Sequence, residues 1–349
     1  PCWTAIPTPP CSNSSATRCG SSSAPLKRLG QYLRFLFITG ISKFSQLSIF
    51  SELNNLKNIS MHDDFSALCG ITEQLLTDLK PDIERMAKAN NGTYEEACAH
   101  LKRQYDGYHF SKNCADIYNP FSLFNAFDAK EYKNFWFSTG TPTFLIDILQ
   151  RTDFDVQSLD GLTATDEQFD APTDHIVDPI PVLYQSGYLT IKDYDPEFET
   201  YTLGFPNKEV EEGFTRYLLP NYAHLETGNP SFEIVSFVKD VRKGDIDSFM
   251  RRLQSFFADT PYKLTRDLEL HYQNVLFIVF KLLGFYTQAE YHTSHGRIDL
   301  VVKTDKYIYV MEFKLDGSAD EAMRQINEKQ YTALFVSDSR KIYKIGVNF

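Results

Sequence analysis

Two strand-like segments near the C-terminus, residues 296–303 and 306–314, constrain the fold more than any other part of this sequence. The first is rich in aliphatic and β-branched residues, the second in β-branched and aromatic residues, and a short polar stretch separates them. This pattern is typical of two strands joined by a tight turn. We therefore predict an antiparallel hairpin in this part of the chain.

A two-residue turn at Asp305 and Lys306 would fix the register of the hairpin. It places Asp299 directly across from Glu312. Because side chains alternate along a strand, Glu312 and Lys314 should share one face with Asp299. The register also places Arg297 opposite Lys314. The intervening residues are predicted to face the core: Ile298, Met311 and Phe313.

The predicted face combines the groups needed for metal-assisted hydrolysis of a phosphodiester. Opposed strand residues have Cβ atoms about 5 Å apart, so two carboxylates there can share one hard cation such as Mg²⁺ or Mn²⁺. A lysine on the same face can orient water and stabilise developing negative charge. We predict Asp299, Glu312 and Lys314 as catalytic residues, with both carboxylates as metal ligands. The alternative is a structural cluster of charges at the strand ends.

Burial cost favours the functional interpretation of Glu312. This residue lies within the apolar run 307–313, where a carboxylate without a partner is expensive. Arg297 is predicted to contact substrate phosphate, because its guanidinium is always charged. His292 and His295 are predicted to be loop residues, since four zinc ligands are not in evidence in the sequence.

The composition limits the classes of protein to which this chain can belong. The 349 residues exceed one typical domain, and 42% hydrophobic residues are ordinary for a globular chain. The apolar runs are much shorter than the roughly 20 residues that span a bilayer, so no membrane segment is predicted and a cytoplasmic location is expected. From Thr265 onward, 11 Lys and Arg balance 11 Asp and Glu, so the net charge of −11 lies before Thr265.

The six cysteines form no CxxC pair, and we expect free thiols rather than a zinc site or a disulfide framework. The first 25 residues are rich in Ser, Pro and Thr, which indicates a disordered tail. Residues 34–40 are predicted to be a buried central parallel strand. Residues 72–89 and 94–105 are predicted helices, the second with a capping box between Thr93 and Glu96.

Four motifs resemble a known family, and they occur in the order Phe-Ile-Thr-Gly-Ile-Ser-Lys-Phe (37–44), Tyr-Asp-Gly-Tyr-His-Phe (105–110), Tyr-Asn-Pro-Phe-Ser (118–122) and Ser-Thr-Gly-Thr-Pro (138–142). Together they resemble the bacterial proteins that join an AAA-ATPase-like domain to a C-terminal PD-(D/E)xK nuclease domain. The resemblance assigns Asp299, Glu312 and Lys314 to the nuclease motif. It also implies that Glu269 is a further metal ligand and that Gln325 contacts substrate or the site. For these two residues, a helix-start acid and a solvated helix face are the alternatives.

The sequence departs from the family in its nucleotide-binding half. It contains no GxxxxGK[ST] loop and no Gly-Lys dipeptide. Since that loop supplies most of the contacts to the phosphates, ATP is not expected to bind this chain. The nucleotide-binding half is therefore interpreted as missing, which leaves an ATPase-like remnant with its helical lid.

Residues 179–222 are predicted to form a short helix and a β-hairpin, interpreted as a winged helix with a packing or regulatory role. Three flanking acids disfavour DNA contact there: Glu209, Glu211 and Glu212. Residues 231–257 are predicted to be connecting helices that break near Gly244. Their phenylalanines are predicted to be core residues: Phe232, Phe237, Phe249, Phe256 and Phe257.

The expected fold is a multidomain α/β protein. Its predicted parts are a disordered or artefactual leader (1–27), a truncated P-loop ATPase-like remnant with lid (28–150), a winged-helix-like module (151–225), connecting helices (226–264) and a restriction-endonuclease-like nuclease domain (265–349). The expected activity is Mg²⁺- or Mn²⁺-dependent hydrolysis of DNA, with RNA as an alternative substrate. Self-association or a protein partner is allowed through the ATPase-like region. The competing hypothesis is a non-catalytic regulatory or binding protein.

Overall fold

The fold was analysed in a computed structural model. It describes residues 57–139, 143–171, 178–222, 230–258, 268–284, 288–294, 297–314 and 317–348, together with 32, 34, 35, 37, 39 and 40. At several of these positions, including 268, 269, 288–294 and 297–299, the description covers the backbone alone. The predicted leader and three of the six cysteines, Cys2, Cys11 and Cys19, lie outside the described residues. The other three are free thiols, as predicted: Cys69, Cys98 and Cys114.

The helices in the described residues are α1 (Glu73–Asp78), α2 (Lys80–Ala89), α3 (Tyr94–Tyr105), α4 (Pro120–Ala129), α5 (Thr143–Arg151), α6 (Asp166–Phe169), α7 (Ile180–Gln185), α8 (Lys208–Tyr222), α9 (Pro230–Lys243), α10 (Ile246–Ala258), α11 (Leu268–Gly284) and α12 (Ala319–Glu328). The strands are β1 (Leu162–Ala164), β2 (Thr190–Asp195), β3 (Thr200–Gly204), β4 (Gln288–Ser294), β5 (Arg297–Lys303), β6 (Tyr307–Lys314) and β7 (Lys341–Asn348). Short 3₁₀ turns occur at Asp63–Phe65, Trp136–Thr139, Val156–Leu159 and Tyr331–Phe335.

The chain divides into two compact units, each assembled from separate stretches of sequence. The first comprises Pro1–Pro81, Asp106–Pro120 and Gly161–Pro206, and the second comprises Asp82–Tyr105, Phe121–Asp160 and Asn207–Phe349. The domain boundaries given above remain predictions. Among the described residues, no helix is both long and apolar enough to cross a bilayer.

The first unit contains a three-stranded antiparallel sheet in the order β1-β3-β2. The predicted hairpin is confirmed as β2 and β3, which pair from Thr190↔Gly204 to Asp195↔Thr200. Helix α7 precedes it, as expected, and Phe169 is fully buried against Tyr184 and Tyr201. The winged-helix interpretation of this hairpin remains a prediction.

The prediction of a buried strand at residues 34–40 is wrong at the positions that are described. Phe35 is 80% exposed and Phe37 is 47% exposed, and none of the described positions there is in a strand. A short apolar run favours burial, but a strand is buried only when it is paired with other strands and covered by another layer. The intervening Leu36 and Ile38 lie outside the described residues.

The helices between residues 73 and 105 follow their sequence patterns in part, with α1 in the first unit and α3 in the second. Helix α3 has the predicted capping box, because Thr93 N donates to Glu96 Oε2 (2.8 Å) and Glu96 N donates to Thr93 Oγ1 (3.2 Å). The single helix predicted over 72–89 is instead two helices that break at Leu79, just ahead of Pro81. Proline fits the first turn of a new helix better than the interior of a continuous one.

Helices α9 and α10 confirm the predicted pair around Gly244, which has φ +85° and so reverses the chain where other residues would be strained. Phe237 and Phe249 are fully buried and meet edge to face, with ring centroids 5.2 Å apart. Phe257 contacts Tyr272 in the same manner, at 5.1 Å. The side chains of Phe232 and Phe256 lie outside the described residues.

The acidic flank expected beside the hairpin of residues 179–222 is not a bare charged surface. Glu209 is fully buried and accepts a hydrogen bond from Trp136 N at 2.9 Å. Glu211 pairs with Lys281 at 2.6 Å, and Glu212 pairs with Arg216 at 2.6 Å. Composition alone does not show which of these acids have partners, and the packing or regulatory role of this part of the chain remains a prediction.

The C-terminal part of the second unit is a four-stranded sheet in the order β4-β5-β6-β7. Strands β4, β5 and β6 are antiparallel neighbours, and β7 pairs parallel with β6. Helix α11 packs on one face, where Phe280 meets Phe313 at 5.4 Å, and α12 packs on the other through Ile326. Strand β6 is therefore buried on both faces.

Candidate active site

The strands β5 and β6 form the predicted antiparallel hairpin in the predicted register. Asp299 pairs with Glu312, and Arg297 pairs with Lys314. The turn is closed by Thr304 N, which donates to the carbonyl oxygen of Tyr307 at 2.9 Å. The alternation of side chains and the tight turn were therefore enough to bring these four residues to one end of the hairpin.

Glu312 lies at the centre of the site and is 0% exposed. Its neighbours in β6, Met311 and Phe313, are buried as predicted. A buried carboxylate is costly unless charged or polar groups compensate it. Here the compensation comes from Lys314 and from Gln325.

Lys314 lies two residues beyond Glu312, where β6 ends. Its Nζ is 3.2 Å from Oε1 of Glu312 and 2.6 Å from Oε1 of Gln325. The side chain is 17% exposed, so the ammonium group lies at the edge of the core rather than inside it. The cation can therefore compensate Glu312 and still meet a ligand from solvent.

Gln325 connects helix α12 to the sheet. Its Nε2 donates to Oε1 of Glu312, and its Oε1 accepts from Lys314. Gln325 therefore contacts both Glu312 and Lys314, and its role at a catalytic site remains a prediction. Helix α12 begins with a capping box in which Ser318 and Glu321 exchange hydrogen bonds of 2.9 and 3.2 Å, which fixes the start of the helix.

A row of paired residues crosses the sheet at the level of Glu312. His292 in β4 pairs with Asp299, which pairs with Glu312, which in turn pairs with Gly346 in β7. His292 is thus a strand residue, and its prediction as a loop residue is wrong. The residues before it, Gln288-Ala289-Glu290-Tyr291, alternate polar with apolar as a strand does, and pairing to β5 extends this strand through His292. His295 lies outside the described residues.

Gly346 allows α12 to approach the sheet. A Cβ at this position would lie 2.4 Å from the carbonyl oxygen of Ala319 and 2.8 Å from the backbone nitrogen of Met323. Only a residue without a side chain permits this packing. The glycine therefore sets the distance between Glu312 and the helix that contains Gln325.

The third predicted metal ligand, Glu269, is the second residue of α11. Its backbone is helical, and its side chain lies outside the described residues, as do those of Asp299 and Arg297. No group of three or more metal-binding side chains occurs within the described part of the chain, but that part includes just one of the three predicted acids. The roles of these residues remain predictions.

The chemistry of the available donors fits a hard divalent cation. Glu312 provides a carboxylate, Asp299 is at the directly opposed position, and residues 265–349 contain no cysteine. Oxygen donors of this type are those that Mg²⁺ and Mn²⁺ prefer. A cation between the two acids would also remove their mutual repulsion.

Two further residues, one at the site and one in α11, were not identified from the sequence. The Tyr331 hydroxyl lies 3.4 Å from Nε2 of Gln325, and Asn274 in α11 is buried with hydrogen bonds to the backbone far upstream. Tyr331 gave no signal, because its partner depends on the turn after α12. Asn274 did give one, because it is an amide directly before the apolar run Val275–Phe280.

Comparison with known proteins agrees with this arrangement. Residues 267–349 match the PD-(D/E)XK nuclease superfamily model and form a domain of that superfamily. Nucleases of this kind generally depend on divalent metal ions, so the match suggests a metal-dependent nuclease. The match does not cover the upstream residues, so their ATPase-like interpretation rests on the sequence motifs alone.

One curated relative is similar over most of the chain. An uncharacterized protein encoded in the vnfD 5' region of Azotobacter chroococcum mcd 1 is 31% identical over 337 residues. The aligned region covers 93% of this chain and 62% of the relative, so the chain spans less than two thirds of that protein's length. No solved structure matches the chain significantly.

Proposed function

We propose that the C-terminal domain hydrolyses phosphodiester bonds in nucleic acid, with DNA as the preferred substrate and RNA as the alternative. Water attacks phosphorus, the bond from phosphorus to the leaving oxygen breaks, and that oxygen takes up a proton. The single observation that most supports this activity is the buried carboxylate of Glu312, held by Lys314 and Gln325 directly opposite Asp299.

Asp299 and Glu312, together with Glu269, are the proposed ligands of Mg²⁺ or Mn²⁺. Two carboxylates at opposed strand positions repel each other unless a cation lies between them. When bound, the ion would polarise a phosphate oxygen and lower the pKa of a bound water. This requirement gives a reason for acids at a level of the sheet where strand β6 is otherwise apolar.

Lys314 is proposed to orient the attacking water and to stabilise negative charge on the phosphate oxygens. Support comes from its partial exposure and from its 3.2 Å contact with Glu312, which keeps the ammonium group beside the proposed ligand. A cation held in place before the reaction needs little reorganisation as charge develops. Gln325 fixes the lysine through the 2.6 Å hydrogen bond between Nζ and its Oε1.

Arg297 is proposed to bind a substrate phosphate. It pairs with Lys314 in the register of β5 and β6, so two cationic residues occur together at this end of the hairpin. Arginine binds phosphate through a planar fork of donors, and lysine binds it as a point charge. Together they would offset the acidic character of the rest of the chain.

The upstream part of these residues is proposed to be a partner-binding or self-associating region. Residues 1–349 contain no phosphate-binding loop, so ATP is not expected to bind them. The proposed compartment is the cytoplasm, where the free thiols of Cys69, Cys98 and Cys114 would remain reduced.

A panel of end-labelled substrates tests the activity. Single-stranded DNA, double-stranded DNA and RNA are incubated with Mg²⁺, Mn²⁺, Ca²⁺ or chelator, without ATP. We expect cleavage of DNA with Mg²⁺ or Mn²⁺, and none with chelator or with Ca²⁺, whose looser coordination positions water poorly. Failure to cleave any substrate under every condition would favour a non-catalytic binding role.

A further inference from the structure

Helix α11 is buried over most of its second half, although Phe277 and Lys281 are partly exposed. Seven of its residues are at most 1% exposed: Val275, Leu276, Ile278, Val279, Phe280, Leu282 and Leu283. Apolar residues buried on several sides of a helix place it in the interior rather than on a surface. One side contacts the sheet, where Phe280 meets Phe313. The other sides must be covered by elements from outside the residues that match the nuclease superfamily.

Asn274 is a polar residue directly before the buried apolar run of this helix, and it is 3% exposed. Its Oδ1 accepts from Val156 N at 3.3 Å, and its Nδ2 donates to the carbonyl oxygen of Phe154 at 3.2 Å. We call these two bonds the Asn274 clamp. They join the nuclease domain to a segment that lies about 120 residues earlier in the sequence.

The upstream end of the clamp is itself well fixed. Val156 and Leu159 are 0% and 1% exposed, so the 3₁₀ turn Val156–Leu159 is anchored in the core. The Asp155 side chain caps this turn by accepting from Gln157 N at 3.0 Å. The clamp therefore connects α11 to a rigid element rather than to a loose loop.

Helix α8 holds α11 at two further points. Near the start of α11, the ring of His271 stacks on Tyr222 with centroids 6.3 Å apart and planes at 11°. Near its end, Lys281 pairs with Glu211 at 2.6 Å. Contacts at three levels of one helix restrict its sliding and its rotation.

The clamp differs from apolar packing in the kind of restraint that it provides. Apolar surfaces attract without direction, so two packed helices can slide with small changes in free energy. Hydrogen bonds to both an N–H and a C=O of one segment are satisfied at a single axial position of α11. A small shift would leave buried polar groups without partners, which is unfavourable.

We propose that Asn274 is a positioning residue for the metal site, an inference that rests on the proposed nuclease function. Glu269 lies five residues before Asn274 in the same helix, or about 7.5 Å along its axis. On the sheet, α11 contacts Phe313, which lies between Glu312 and Lys314 in β6. Displacing α11 would therefore change the spacing between the acids that bind the metal.

Binding of Mn²⁺ to the full chain, measured by calorimetry, tests this inference without relying on activity. The variant Asn274→Ala removes the clamp. Gln104→Ala is the matched control, because Gln104 is also a buried amide (4% exposed) and donates to Asn134 Oδ1 at 2.8 Å, away from α11. Lys281→Met is a milder second variant that breaks the pair with Glu211.

We expect both alanine variants to melt at a lower temperature than the parent. Of these two, only Asn274→Ala should bind Mn²⁺ more weakly, by about threefold or more. This loss is smaller than the one usual for residues that contact metal ligands directly. Lys281→Met should weaken binding less, in the same direction, and supports the inference if Asn274→Ala does not fold. Parent-like Mn²⁺ affinity in both α11 variants, or an equal loss in Gln104→Ala, would overturn the positioning role alone. A parent that binds no Mn²⁺ would overturn the proposed function as well.

Discussion

Lys314 Nζ lies 3.2 Å from Oε1 of Glu312, a carboxylate with no exposed surface. Both groups also bond to Gln325, so one amide joins the acid and the base of the proposed site. An acid buried in this way is stabilised when its charge is compensated and hydrogen bonded. The arrangement places a cation beside the proposed metal ligand without removing the cation from solvent.

Replacing Gln325 with alanine should reduce cleavage more than it reduces stability. The variant keeps Glu312 and Lys314 but frees both side chains to move, so we expect a fall in kcat of about tenfold or more. Steady-state cleavage and thermal melting measure the two effects. Glu328→Gln, an exposed change in the same helix, is the control. Equal rates for Gln325→Ala and the parent would show that the network does not contribute to catalysis.

Gly346→Ala should separate α12 from the sheet. The added methyl group would meet backbone atoms of Ala319 and Met323, which cannot rotate away. We expect a loss of about 1–3 kcal/mol in the free energy of unfolding, together with reduced cleavage. Gly92→Ala is the control, since its nearest atom is the end of the Glu96 side chain at 3.1 Å. Urea unfolding that shows no difference between the two variants would contradict this packing.

The site was more predictable than the fold around it, for physical reasons. The register of Asp299 and Glu312 follows from local alternation and a tight turn, both of which are encoded in adjacent residues. Strand β7 pairs in parallel with β6, and such pairing depends on a long connection that no local pattern specifies. The exposed Phe35 shows the reverse case, in which a strong local preference finds no enclosing core.

The buried acid Glu209 should make stability depend on pH. Burial raises the pKa of this carboxyl from 4.5 to about 7, despite hydrogen bonds from Ser122, Trp136 and Phe135 that lower it. Because the folded protein favours the protonated form, the stabilising contribution is complete below pH 4.5 and is lost as the pH rises through about 7.

The free energy of unfolding of Glu209→Gln, relative to that of the parent, should therefore increase as the pH rises. Urea unfolding between about pH 5 and pH 8 should show the parent losing on the order of 2 kcal/mol more than the variant. The exposed change Glu95→Gln in α3 is the control. Parallel stability curves for the parent and Glu209→Gln would show that Glu209 titrates normally.

A fragment of residues 265–349 should not fold by itself. The hydroxyl of Tyr309 is buried and donates to the carbonyl oxygen of Val241 in α9 at 2.6 Å, and Asn274 depends on Phe154 and Val156. The fragment lacks all three partners and leaves buried polar groups exposed or unsatisfied. Circular dichroism should show no cooperative melting. A sharp thermal transition in the fragment would instead establish 265–349 as an independent domain.

The most direct test of the central claim compares metal binding and DNA cleavage in Asp299→Asn, Glu312→Gln and Lys314→Met. Each substitution removes a charge and preserves side-chain size, so folding is disturbed as little as the site allows. We predict that both carboxylate variants lose Mn²⁺ binding and cleavage together. Lys314→Met should bind Mn²⁺ and lose about 10²–10⁴ in rate. Cleavage at the parent rate by Glu312→Gln, with Mn²⁺ binding unchanged, would contradict a metal-dependent nuclease centred on this residue.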